Sequence, residues 1–212
     1  MSNPYLNASW CINAIEHSLL NRFPDGSNIY VLIESSLMPD WKVTLYQHIN
    51  TFQLSEPYCE TLFTGTHYQH LEHGPVLVNI TDYPELQKAW LAQFEQTPLG
   101  CVLIAPATTN NQDIAALLRN RLTVYREANP TFLRYYEPRT MAAFIGALNE
   151  EERQHFFFPI QMIYWHHNQW LQAQWAKPEF PPKQLQSWKI TPIQFNKMAD
   201  IMKQIQSHEV LT

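Results

Sequence analysis

The sequence predicts an α/β protein in which helices flank a mixed, partly parallel sheet, with a smaller, mainly helical C-terminal lobe that holds a candidate hairpin. Three observations lead there. From residue 29 onward, short β-branched apolar runs alternate with stretches of helical period, the pattern of strands interleaved with helices. After Glu150 the composition turns strongly aromatic, in QHFFFPIQMIYWHHNQWLQAQW. Beyond that, KPEFPPK (Lys177 to Lys183) carries three prolines in seven residues and reads as a stiff connector.

Element by element, Trp10, Cys11, Ala14, Ile15 and Leu19 recur at three- and four-residue intervals behind Ser9, a good N-cap, and predict a helix over 9–21. FPDGSN (Phe23 to Asn28) is turn chemistry, and the apolar run Ile29 to Ile33 after it reads as a buried strand. Pro39 suits the first turn of a helix through Trp41, Leu45, Tyr46 and Ile49. The alternation then repeats. Pro75 to Ile80 predicts a strand, Tyr83 to Gln96 a helix, Gly100 to Ala105 a strand, and Asn111 to Leu122 a helix with Ile114, Leu117, Leu118 and Leu122 on one face. Thr131 to Tyr136 reads as a further strand, and Pro138 opens a helix over Met141 to Leu148.

In the aromatic region Asn168 sits between two extended runs, which suits a hairpin. Thr191 and Pro192 look like the N-cap and first turn of a last helix aligning Phe195, Met198, Met202 and Ile205. The division drawn from this is an α/β lobe over 1–137 and a smaller lobe over 138–212.

Composition narrows the function. Hydrophobic residues make up 45% and charged ones 16% of the 212, which is enough apolar side chain to fold. Net charge is −5, with 14 Lys and Arg against 19 acids, so the electrostatic footprint of a nucleic-acid binder is missing. Cys11, Cys59 and Cys101 are odd in number and form no CxxC pair, which points away from a disulfide framework and toward a reducing compartment. No apolar window reaches the roughly 20 residues that span a bilayer, so the expectation is a cytoplasmic protein without stable membrane insertion. Seven tryptophans favour a protein-binding surface.

Chemistry is harder to find. The five glycines form neither GxGxxG nor GxxxxGK[ST], and GxSxG and HExxH do not occur, so no catalytic residue and no cofactor is assigned. His67, His70 and His73 are the sharpest metal candidate. Their spacing puts two of them on one helix face, but Gly74 and Pro75 end any helix at once, and a surface role is preferred. His166 and His167 are neighbours and would point to opposite faces of a strand. In RYYEPR (Arg134 to Arg139), Glu137 and Arg139 are two residues apart and fit either a general acid with a cationic partner or a structural ion pair. Without a second acid or a nucleophile the structural reading is preferred, with Pro138 fixing the exit from a strand into the next helix. Trp165, Trp170 and Trp175 fit hairpin core and binding surface equally well.

Several segments, in the order found here, resemble the type VI secretion effector chaperone and adaptor family, defined as a domain of unknown function (number 4123). They are YVLIESSLMPD (Tyr30 to Asp40), LFTGTHYQHLEHGPVLVNI (Leu62 to Ile80), the helix and strand from Leu117 to Val124, FLRYYEPRT (Phe132 to Thr140) and FFFPI (Phe156 to Ile160). Glu34 stands where the family more often has Asp, and Phe158 where it has Gly. The positions carried over are Glu34, Gly65, Thr66, Tyr68, Gly74, Pro75, Arg134, Tyr136, Glu137, Pro138 and Arg139. The resemblance implies a non-enzymatic adaptor that binds a toxic effector, often through the effector's N-terminal region, and helps load it on the secretion spike. On that reading Phe156, Phe157, Trp165, Trp170 and Trp175 in the second lobe are the expected client contacts. A small enzyme built on Glu137 and a metal module built on His67 and His70 are the alternatives.

Overall fold

The computed structural model describes residues 10–16, 23–49, 55–178 and 187–209, with the side chains of the last two excepted. Its elements in chain order are β1 (Ile12–Ile15), β2 (Ser27–Glu34), a 3-10 turn (Ser35–Leu37), α1 (Trp41–Gln47), β3 (Cys59–Thr61), β4 (Pro75–Asn79), α2 (Pro84–Gln96), β5 (Gly100–Pro106), α3 (Asn111–Arg121), β6 (Thr123–Arg126), β7 (Asn129–Phe132), α4 (Pro138–Ala147), α5 (Glu150–Phe157), β8 (Met162–His167), β9 (Gln169–Gln174), β10 (Trp188–Ile190) and α6 (Pro192–Glu209). Seven strands form one sheet in the order β1-β9-β8-β5-β2-β4-β3, and three form a second in the order β10-β6-β7.

Every pairing in the large sheet is antiparallel, which corrects the expected partly parallel arrangement there. Among the described residues, parallel pairing is confined to β10 beside β6 in the small sheet. The strand-helix alternation did carry direction: β4 and β5, joined by α2, both run antiparallel to β2 and therefore run the same way. What it did not carry is adjacency, because β2 lies between them. A helix returns the chain to the same end of the sheet, whether or not another strand is inserted.

The run Tyr30–Ile33 is apolar throughout because both faces of β2 are covered. Tyr30 and Leu32 join one core, with residues of α3, α4, α5 and α6. Ile29, Val31 and Ile33 join another, with Trp41 and Leu45 of α1 and Leu86, Trp90, Leu91 and Phe94 of α2. Side chains two apart share a face, so Glu34, at the end of β2, points to the side of Tyr30 and Leu32.

The helix expected over 9–21 gives way in its described part to β1, paired with β9 from Ile12↔Ala173 to Ile15↔Trp170. Ile12 and Ala14 pack on one core and Ile15 on the other, a strand's alternation. The open edge of β9 supplies backbone partners that outweigh a weak local helical preference. The strand expected over Thr131 to Tyr136 ends at Phe132, and the chain turns before Pro138. The hairpin is present with Asn168 at φ 61 between β8 and β9, and it lies inside the large sheet, where β8 pairs with β5. Strands from both sides of residue 137 thus share one sheet. The last helix starts as expected: Gln194 N–H donates to Thr191 Oγ1 (3.2 Å), and Thr191 N–H to Gln194 Oε1 (2.8 Å). Most of the proline-rich connector lies outside the described residues.

Candidate functional site: the signature cluster

Four distant stretches meet at the end of β2. Glu34 is buried, and its Oε2 accepts from Arg134 Nη2 (3.0 Å) and from the Tyr136 hydroxyl (3.1 Å). Its Oε1 accepts the Ser36 N–H (3.4 Å) and so caps the 3-10 turn. Pro75 lies opposite Glu34 in the β2–β4 register, and Gly74 exchanges hydrogen bonds with Ser35: Gly74 N–H to Ser35 Oγ (3.1 Å) and Ser35 N–H to the Gly74 carbonyl (3.2 Å). A Cβ on Gly74 would stand 2.3 Å from the Phe63 ring, so this close approach requires glycine.

Gly65, at φ +73, turns the chain ahead of this point. Thr66 Oγ1 donates to the Phe63 carbonyl (2.8 Å) and accepts from Tyr68 N–H (3.0 Å), which is a local side-chain turn. Tyr68 then reaches across to β6, its hydroxyl 3.1 Å from Thr123 Oγ1. The stretch 62–74 therefore ties the large sheet to the small one by turns, and the helix considered for the histidines does not form. His67, His70 and His73 are exposed on those turns, and among the described residues no group of three or more His, Cys, Asp or Glu is placed to hold a metal ion.

In RYYEPR the chain leaves the small sheet and begins α4. Glu137 is the buried N-cap, accepting from Arg139 N–H (3.5 Å), and Pro138 takes the first helical position. Arg139 grips the same carboxylate with two donors, Nε to Oε1 (2.8 Å) and Nη2 to Oε2 (3.0 Å). The ion pair read from the sequence is there, in the bidentate geometry that gives such pairs their directionality. Arg134 lies 3.5 Å from Glu137 Oε2 while bonding Glu34, so one guanidinium bridges both acids.

Electrostatics fix the protonation states. Burial pulls the Glu137 carboxyl upward, but the hydrogen bonds and charge of Arg139, with the charge of Arg134, outweigh it and hold the group below the ordinary range. Burial, then the nearby Glu34 charge, pushes the Tyr136 phenol far above its ordinary value. Near neutrality the phenol stays protonated and donates, and Glu137 stays charged and accepts. The arrangement suits clamping β2, the glycine turn and α4 together.

The five aromatics expected as client contacts are buried, a correction to that placement. Phe156 and Phe157 pack with Phe144 in ring contacts of 4.8 and 6.2 Å, and Trp175 stacks on Phe157 at 4.9 Å with its indole N–H on the Ile160 carbonyl (2.8 Å). Trp165 and Trp170 fill opposite faces of the sheet, the latter donating to Glu95 Oε1 (2.7 Å). Two helical layers cover what an isolated hairpin would expose. The Phe158–Pro159 peptide between α5 and β8 is cis.

Sequence reasoning missed Arg121 as an organiser of this core. Its buried guanidinium lies 5.0 Å over Phe156 and 5.6 Å over Trp188 and donates to the carbonyls of Phe156 (2.9 Å) and His155 (3.3 Å); burial pushes its pKa down to about 10. Tyr58 and Arg119, both donating to Glu60, were also missed. An arginine in a last helical turn reads as surface, and nothing local marks it as buried.

A protein-family model described as a domain of unknown function (DUF4123) matches residues 29–155, more than half of the chain. The match runs from β2 into α5 and includes the whole signature cluster. That family is associated with type VI secretion effector adaptors. No curated protein and no solved structure matches the chain.

Proposed function

Because the chain belongs to the DUF4123 family, we propose that it is a non-enzymatic adaptor that binds one cognate type VI toxin effector and helps load it onto the secretion spike. The observation that carries this reading is the family match over 29–155 with its type VI association. The signature acids support it, since their hydrogen-bonding capacity is spent on Arg134, Arg139, Tyr136 and the two helix caps. In this role the protein works in the bacterial cytoplasm before firing, holding the effector, in particular its N-terminal region, and presenting the complex to the spike protein. The buried aromatics act as the scaffold that keeps the sheet rigid, and client contact falls to exposed side chains.

The test is co-expression with the large protein encoded beside this chain. A stable complex, with the client lost to aggregation when the adaptor is omitted, is the expected result. A purified chain that turns over a substrate by itself, or a neighbouring effector that is soluble and secreted without it, overturns the proposal.

A further inference from the structure

One end of the large sheet holds a cavity of about 140 Å³ that the adaptor reading does not use. Three stretches of chain line it: Pro106 and Thr109 at the end of β5, Phe158 to Gln161 ahead of β8, and Trp175 to Pro178 after β9. Gln161 N–H donates to the Ile104 carbonyl (2.9 Å) and Trp175 N–H to the Gln161 carbonyl (3.2 Å), so the sheet's own hydrogen bonds hold these stretches together.

Rigid rings form the walls. Pro106, Pro159 and Pro178 have a fixed φ. Trp175 is held by its stack on Phe157 (4.9 Å) and by its indole N–H on the Ile160 carbonyl (2.8 Å). Such walls resist collapse, and a ligand entering a preformed site has little left to order.

Size and lining select the ligand. A cavity of about 150 Å³ takes one benzene ring, so this one matches a single six-membered ring. The polar groups of the lining are the Thr108 and Thr109 hydroxyls, the Gln161 amide and the Lys177 ammonium. Among the described residues none of these four groups has a side-chain hydrogen bond or ion pair, and no acid lines the cavity. All four can donate, and the ammonium can do nothing else, so the polar substituent of the ring has to accept.

We infer that this cavity is a binding site for a free monocyclic aromatic compound whose substituent carries an acceptor oxygen, as in an aryl acid. The ring packs against Trp175 and the prolines. The oxygen accepts at the rim, where Thr108 and Lys177 are exposed. This site is independent of the adaptor reading.

Phenylacetate is the probe, added to the isotope-labelled full chain while the indole N–H resonance of Trp175, assigned with Trp175→Phe, is followed. A saturable shift is expected, with a dissociation constant on the order of a millimolar. Benzylamine has the same ring but a substituent that only donates, and should bind at least about fivefold more weakly. Ala176→Trp and Thr108→Trp each fill the cavity from an exposed lining position and should abolish the shift. Ala128→Trp, on the exposed turn between β6 and β7, should leave it unchanged. Thermal melts confirm folding. Lys177→Ala, at an exposed site, should weaken phenylacetate binding about two- to fivefold.

The absence of a saturable shift in the wild-type chain would overturn the inference. So would undiminished binding in both filling variants, equal affinity for benzylamine, or unchanged affinity in Lys177→Ala, which carries the test if neither filling variant folds. Recovery of a tagged toxin candidate from the flanking genes, with and without saturating phenylacetate, identifies the source of the ring. Unchanged recovery is expected. Loss of recovery would mean that the ring belongs to the client, and would overturn its assignment to a free compound. Because the shift needs no client, the site and the adaptor reading fail separately.

Discussion

Replacing Glu34 with alanine removes the carboxylate that Ser36, Arg134 and Tyr136 share, and the structure sets the size of the effect. Two contributions dominate. The Tyr136 hydroxyl is fully buried and loses its acceptor, and an orphaned buried donor costs about 1–3 kcal/mol. Arg134 loses a charge-assisted partner but is partly exposed, so water replaces much of it and about 0–1 kcal/mol remains. Even without the weak 3.4 Å cap to Ser36, the total is about 1–4 kcal/mol. For a chain of this size that lowers the midpoint of thermal unfolding by about 2–16 °C.

The assay is a urea titration of wild type, Glu34→Ala, Tyr136→Phe and the double variant, because residues in direct contact do not add. Tyr136→Phe deletes the orphaned hydroxyl, so in the Glu34→Ala background it should recover about 1 kcal/mol or more. A Glu34→Ala protein within about 0.5 kcal/mol of wild type, or single effects that simply add, would refute the shared-carboxylate reasoning.

Three further predictions follow from the same geometry. Glu137 titrates below its ordinary value of 4.5 in the folded chain, so its stabilisation is full above that value and is lost as pH falls through the lowered one; urea midpoints measured from pH 6 to pH 3 should drop less steeply in Glu137→Gln than in wild type. Gly74→Ala places a Cβ 2.3 Å from the Phe63 ring and should cost about 1–3 kcal/mol, partly restored by Phe63→Leu; equal stability of Gly74→Ala and wild type would contradict the close approach. Trp175→Ala removes the ring stacked on Phe157 and should cost about 3–5 kcal/mol in denaturant, while the fraction that stays folded binds client normally; selective loss of binding at unchanged stability would return Trp175 to the contact surface.

Much of the fold was legible where local patterns coincide with burial. The runs at Ile29 to Ile33, Pro75 to Ile80 and Gly100 to Ala105 became β2, β4 and β5, and the periodic stretches after them became α1, α2 and α3. Strand pairing was not legible, because insertion of β2 between β4 and β5 leaves no mark on either sequence. For the same reason Ile12–Ile15 read as helix: four residues cannot reveal a waiting strand edge. The Glu137–Arg139 pair was readable because both partners are local. Glu34 joining Arg134 and Tyr136, about 100 positions away, was visible only as separate pieces of a family pattern. The aromatic residues misled because composition identifies a hydrophobic surface without saying what covers it, and α4, α5 and α6 supply the cover for most of them.

The central proposal, that this chain is the adaptor for one effector, is tested most directly by tagging a large toxin candidate from the genes that flank this chain's own, isolating it from cells that do or do not express the chain, and weighing the product by light scattering. The account predicts a defined complex when the chain is present and an aggregated or degraded effector when it is absent. A monodisperse effector of the same yield in both cells, with no bound chain, would contradict it.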